Sequence, residues 1–140
     1  MYRYIRMLSK SQSNYLWRTS WFFLLGSVYG LYNHHQIAIF PGLIFITSIN
    51  HWRNPIRGSW RQRIDIITVI TCIYLQRTFG YKLEYYPQYT IIVTLGLSFY
   101  PLALYFSRRN EVWKSVISHS AIHLVGNIAN LVLYSSKQTI

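Results

Sequence analysis

His51, Asp65, His119 and His123, with the hydroxyls of Thr47 and Ser48, are the residues here whose types and spacing could do chemistry. Thr47 and His51 stand at i, i+4, as do His119 and His123, so each pair shares a helix face. Three imidazoles can fill three corners of a tetrahedral zinc site, leaving the fourth open to water, as in catalytic rather than structural zinc. Zinc so held lowers the pKa of its water toward about 7 and polarises a carbonyl beside it. Asp65 would then move protons or orient a ligand, and Thr47 or Ser48 would donate to the developing oxyanion. Asp65 is followed on nearly the same face by Thr68, Cys72 and Gln76, and the histidine pair belongs to a polar stripe of Ser115, His119, His123, Asn127 and Asn130. Cys72 stands alone, which excludes an internal disulfide and a cysteine metal cluster.

All of these side chains lie in or beside long apolar stretches, roughly Tyr15–Tyr32, Ile37–Trp52, Ile64–Phe79, Tyr89–Phe106 and Val112–Tyr134. Apolar residues make up 51% of the chain and charged ones 12%, about half the charged share of a soluble domain. Aromatics reach 18%, with thirteen Tyr and five Trp, the types that collect at the lipid headgroups. A spanning helix needs about 20 mostly apolar residues, and extending the second and third stretches to Arg53 and back to Trp60 brings both near that length. The expected fold is all-α, an integral membrane bundle of about five transmembrane helices over residues 15–140. Pro101 should kink the fourth helix, and Asn54–Pro55 should end the second. Residues 1–14 form a basic segment with Arg3, Arg6 and Lys10, in which Tyr2, Ile5, Met7 and Leu8 could lie along the membrane surface. The first span then acts as an uncleaved anchor.

With five spans, eleven cations share one side: Arg3, Arg6, Lys10, Arg18, Arg53, Arg57, Arg61, Arg63, Arg108, Arg109 and Lys114. Three, Arg77, Lys82 and Lys137, fall on the other. Cytoplasmic loops attract the excess of Lys and Arg, so the N-terminus is expected in the cytoplasm and the C-terminus outside or in a lumen. The formal net charge of +11 is thus explained by short juxtamembrane groups, and no continuous basic face for nucleic acid appears. The same topology brings His51, Asp65 and the His119/His123 pair toward one membrane face. Membrane lipids are the expected partners, with anionic headgroups at the basic cytoplasmic loops. A second copy of the chain could complete a pocket that five helices leave open.

The combination resembles the superfamily of membrane hydrolases that contains the alkaline ceramidases and the progestin/adipoQ receptors. Those proteins carry Ser-x-x-x-His at the end of the second helix, Asp near the start of the third and His-x-x-x-His in the last. The matching residues here are Thr47-Ser-Ile-Asn-His51, Asp65 and His119-Ser-Ala-Ile-His123. The resemblance implies that His51, His119 and His123 bind zinc, that Asp65 is the acid/base residue, and that the substrate is a lipid amide or ester. It covers about thirty residues in two patches; the family has seven helices, the family serine is Thr47 here, and no acid precedes Asp65. Ceramide itself is therefore not carried over.

A reading from another class competes with the hydrolase. The polar residues could only lock helices together in a non-catalytic assembly subunit or organiser, since membrane histidines and asparagines often hydrogen-bond between helices. On that reading Asp65 complements its helix dipole and pairs with Arg61 or Arg63, Asn127 and Asn130 are glue, and the loop Trp52–Arg63 is a topology determinant. His34 and His35, in the short first loop, are expected to be solvated.

Overall fold

The computed structural model describes residues 8–137, and these form five α-helices: α1 (Lys10–Tyr32), α2 (Ile39–Trp52), α3 (Trp60–Gly80), α4 (Tyr86–Arg108) and α5 (Val112–Tyr134). A turn of 3₁₀ helix, Gln36–Ala38, leads into α2. Of the segment expected to lie on the membrane surface, Tyr2, Ile5 and Met7 fall outside the described residues. α4 and α5 are each long and apolar enough to cross a membrane by length and composition.

Local chemistry sets the boundaries. Ser9 and Gln12 form a reciprocal capping box, with Gln12 N donating to Ser9 Oγ (3.3 Å) and Ser9 N to Gln12 Oε1 (2.9 Å), so α1 begins five residues before the expected Tyr15. α2 stops at Trp52, just before Asn54–Pro55, as expected for a residue pair that disfavours the helical region. Gly58, at φ 72°, turns the chain where a side chain would be strained, and Ser59 Oγ then caps α3 by accepting from Gln62 N at 3.3 Å. Pro101 is carried inside α4.

The helices pack in the order α3–α2–α1–α5–α4, so sequence neighbours α3 and α4 stand at the two ends of an arc rather than side by side. Two ends of the bundle follow. At the near end, Leu16 of α1, Trp52 of α2 and Val116 of α5 share one apolar cluster. At the far end, Ala38, Tyr89, Ala129, Leu133 and Tyr134 share another. The first loop is not solvated as a whole: His35 is 3% exposed and its Nε2 meets Ser136 O at 3.0 Å. His35 therefore ties the α1–α2 connection to the end of α5, a long-range contact that its local sequence does not betray.

Polar and apolar residues are distributed inside out. Ser13, Ser20, Ser48, Asp65, Gln76, His123, Asn127 and Asn130 are buried. Each helix turns aliphatic side chains outward, among them Leu25, Ile46, Ile70, Ile91 and Ile117, all more than half exposed. The interior polar groups knit helices together: Gln76 Nε2 of α3 donates to Asn130 Oδ1 (2.9 Å) and Tyr134 Oη (2.6 Å) of α5.

Close approach at the far end depends on Gly30. A Cβ there would sit 2.6 Å from Tyr134 Cδ2 and would overlap Ala38 Cβ. Gly30→Val should therefore cost about 1–3 kcal/mol by overpacking, read as a lower unfolding midpoint in detergent. Leu25→Val, on the outer face, should stay within about 0.5 kcal/mol. Equal midpoints for the two variants would contradict this packing.

Candidate functional site

The near end of the bundle gathers the residues singled out by spacing. α2 delivers Thr47, Ser48 and His51 on its last turns, α3 delivers Asp65 on its second turn, and α5 delivers His119 and His123. Thr47 and Ser48, adjacent on a helix, point about 100° apart, yet both reach the same oxygen. Ser48 Oγ donates to Asp65 Oδ1 at 2.7 Å and Thr47 Oγ1 at 2.9 Å, because α3 docks against α2 between the two directions. Each hydroxyl has one proton. That of Ser48 is directed to Asp65 rather than to a vacant oxyanion position. That of Thr47 has Asp65 as its shortest acceptor, with Ile44 O (3.2 Å) and Leu43 O (3.3 Å) also in reach. Asp65 is 8% exposed and forms no ion pair with Arg61 or Arg63. Arg61 instead donates to Asn50 O (3.4 Å) and Asn54 O (2.9 Å), pinning the α2–α3 loop. Among the described residues the ion pairs are Arg109–Glu111 and Lys114–Glu111.

The histidines meet one another through aromatic contacts. His119 and His123 lie perpendicular with ring centroids 5.2 Å apart. Trp52 contacts both His51 (4.4 Å) and His119 (4.9 Å). His123 Nδ1 is hydrogen-bonded to Thr19 Oγ1 of α1 at 2.9 Å, and Phe23 packs edge-on to the same ring at 5.4 Å. His51 Nδ1 and Trp52 Nε1 are buried without a hydrogen-bond partner.

Three imidazoles and a carboxylate suit zinc by donor type. Their arrangement does not: among the described residues no group of three His, Cys, Asp or Glu side chains stands close enough together to hold an ion. The helix pair His119/His123 is present, while the His51 ring lies tilted at 55° against Trp52, which also meets His119 edge-on.

Two cavities meet at this place. A vestibule of about 330 Å³ at the near end is walled by His51, Trp52, Arg57, Gln62, Ser107 and Ser115, among others. A mostly apolar cleft of about 410 Å³ lies between α3 and α4, walled by Val69, Ile70, Leu97 and Ile122 and reaching Phe23, Ser48 and His123. Asp65, Ile66, Tyr100 and His119 belong to both walls. α3 and α4 both line the cleft and do not pack closely on each other along it.

Sequence reasoning placed Asp65, Thr47, Ser48 and the histidines toward one end of the bundle, where they are found, but assigned the two hydroxyls to an oxyanion, whereas both bond Asp65. It missed Thr19, which orients His123, and Tyr100, whose ring stands on the shared wall. Tyr100 precedes Pro101 in an apolar helix, and nothing in the local pattern separates it from an ordinary interfacial tyrosine. Compared with known proteins, the chain matches no family model, no curated protein and no solved structure.

Proposed function

We propose that this chain is a five-span membrane protein that hydrolyses a lipid amide or ester at the junction of its vestibule and its cleft. One observation carries the reading: Asp65 and His119 stand on the walls of both cavities. Hydrolysis of a lipid needs water and an acyl carbonyl at one point, and a vestibule whose wall carries His51, Arg57, Gln62 and Ser115 beside a mostly apolar cleft offers both. The lipid enters between α3 and α4, and its carbonyl comes to rest by Asp65 and His119. Water arrives through the vestibule. His119 takes a proton from that water as the oxygen adds to the carbonyl carbon, and the leaving amine or alcohol receives a proton as the C–N or C–O bond breaks. Asp65, its Oδ1 fixed by Thr47 and Ser48, is the second proton-transfer group and keeps Oδ2 for that work.

Zinc enters only as a proposal on donor type, and no step is routed through it, since His51, His119 and His123 would have to regroup around Trp52 to share an ion. Metal analysis of the purified protein decides it. Stoichiometric zinc, lost in both His51→Ala and His119→Ala, is the result expected of a three-imidazole centre; zinc that survives either substitution would exclude that centre.

The five-span reading is supported by the inside-out distribution. Aliphatic faces such as Ile70 (63% exposed) and Ile91 (69% exposed) would be costly in water, and buried Asp65, Gln76 and Asn130 would be stranded in lipid if turned outward. The charge bias supports a cytoplasmic side for the N-terminus, the vestibule and the basic loops. Tags on the two termini should therefore differ in accessibility to an impermeant reagent in sealed membranes. Both tags on one side would exclude five spans.

A second reading, the non-catalytic organiser, is favoured by the Gln76–Asn130–Tyr134 cluster, which is satisfied within the protein and far from the vestibule. Turnover separates the two. With a panel of lipid amides and esters in liposomes, Asp65→Asn and His119→Ala should each lower kcat by about 10²–10⁴-fold, while Asn130→Ala should lower stability and leave kcat per folded molecule near wild type. Absence of turnover by the wild-type chain on every member of the panel would leave the organiser.

A further inference from the structure

The vestibule has a cation on its wall that the hydrolytic chemistry does not use. Arg57 lies in the α2–α3 loop, read from sequence as a topology determinant, yet it lines the vestibule together with His51, Trp52, Gln62 and Asp65. The loop that carries it is built rather than loose. Arg61 holds it through two carbonyls, Asn50 O and Asn54 O. Gly58 N donates to Gln62 Oε1 at 2.7 Å, and Gln62 N to Ser59 Oγ at 3.3 Å. Arg57 makes no ion pair with any described residue. Trp52, 6% exposed, forms an apolar part of the same wall. The one carboxylate on this wall, Asp65, is held at the inner end by Thr47 and Ser48, where the vestibule joins the cleft.

We propose that the vestibule is an oxyanion site for the headgroup of the lipid whose acyl part lies in the cleft: a phosphate, sulfate or carboxylate paired with Arg57. A guanidinium forks onto such groups with charge-assisted hydrogen bonds. The lipid then spans both cavities, with its charge at Arg57 and its carbonyl at Asp65 and His119. The placement rests on the two-cavity reading above but not on catalysis, so binding tests it without turnover.

Calorimetric titration in neutral detergent compares three probes: a short-chain phosphatidic acid, the diacylglycerol with the same chains, and inorganic phosphate. The Asp65→Asn chain is titrated beside wild type, so that a failure of the hydrolase reading leaves this result standing. Phosphatidic acid should bind at least about tenfold more tightly than diacylglycerol, the worth of one charge-assisted contact. Arg57→Gln should abolish that difference, whereas Arg53→Gln, in the same loop but off the vestibule wall, should preserve it. Equal binding of the two lipids, or a preference that survives Arg57→Gln, would overturn the proposal. Phosphate alone binding as tightly as phosphatidic acid, with the same Arg57 dependence, would assign the site to a free anion and overturn the headgroup placement.

Discussion

A carboxylate placed among apolar helices needs donors, and the pair of hydroxyls that Asp65 finds on α2 is the interaction on which the near end depends. Ser48 and Thr47 meet one oxygen from adjacent positions, which fixes the rotation of α2 and its height against α3 together. Removing both hydroxyls would leave a buried carboxyl oxygen unsatisfied, a cost of about 1–3 kcal/mol and more for a charge. The same contact sets where Asp65 stands relative to His119. Chemistry and helix register are thus determined by one pair of hydrogen bonds.

A second polar clasp, Gln76 to Asn130 and Tyr134, does for the far end what Asp65 does for the near end. Between them α3 presents Val69 and Ile70 toward Leu97 of α4 across a cleft rather than in a packed seam. α3 is held by these polar contacts, along α2, and through Ile73 against the far-end cluster that includes Tyr89 and Val93 of α4. On the five-span reading, the apolar walls of this cleft match acyl chains. The inside-out sequence pattern and the lateral cleft are two consequences of the same arrangement.

Much of this was legible in the sequence. Apolar stretches bounded by charge gave five helices within a few residues of those observed, and Pro55 marked the end of α2. Asp65 stood out as an acid in an apolar run, and the histidine pair as a helical face. What was hidden depends on how helices rotate against one another. Ser48 seemed to point away from Thr47, but α3 docks between them. His35 seemed solvated because its neighbours are polar, whereas its partner is the Ser136 carbonyl at the other end of the chain. His51 was grouped with the other histidines by topology alone, which cannot anticipate that Trp52 would contact both His51 and His119. Arg57 read as one more charge in a basic loop until the fold of that loop set it on a cavity wall.

The central claim is that water and lipid reach the same place, at His119. It is tested most directly by spin labels attached at single cysteines in a Cys72→Ala background, in liposomes, with a water-soluble relaxation agent and with oxygen, which concentrates in lipid. A label replacing His119 should be relaxed by both agents, while one replacing Ile70 should respond to oxygen alone. A label at His119 that only oxygen reaches, or that neither agent reaches, would contradict the account.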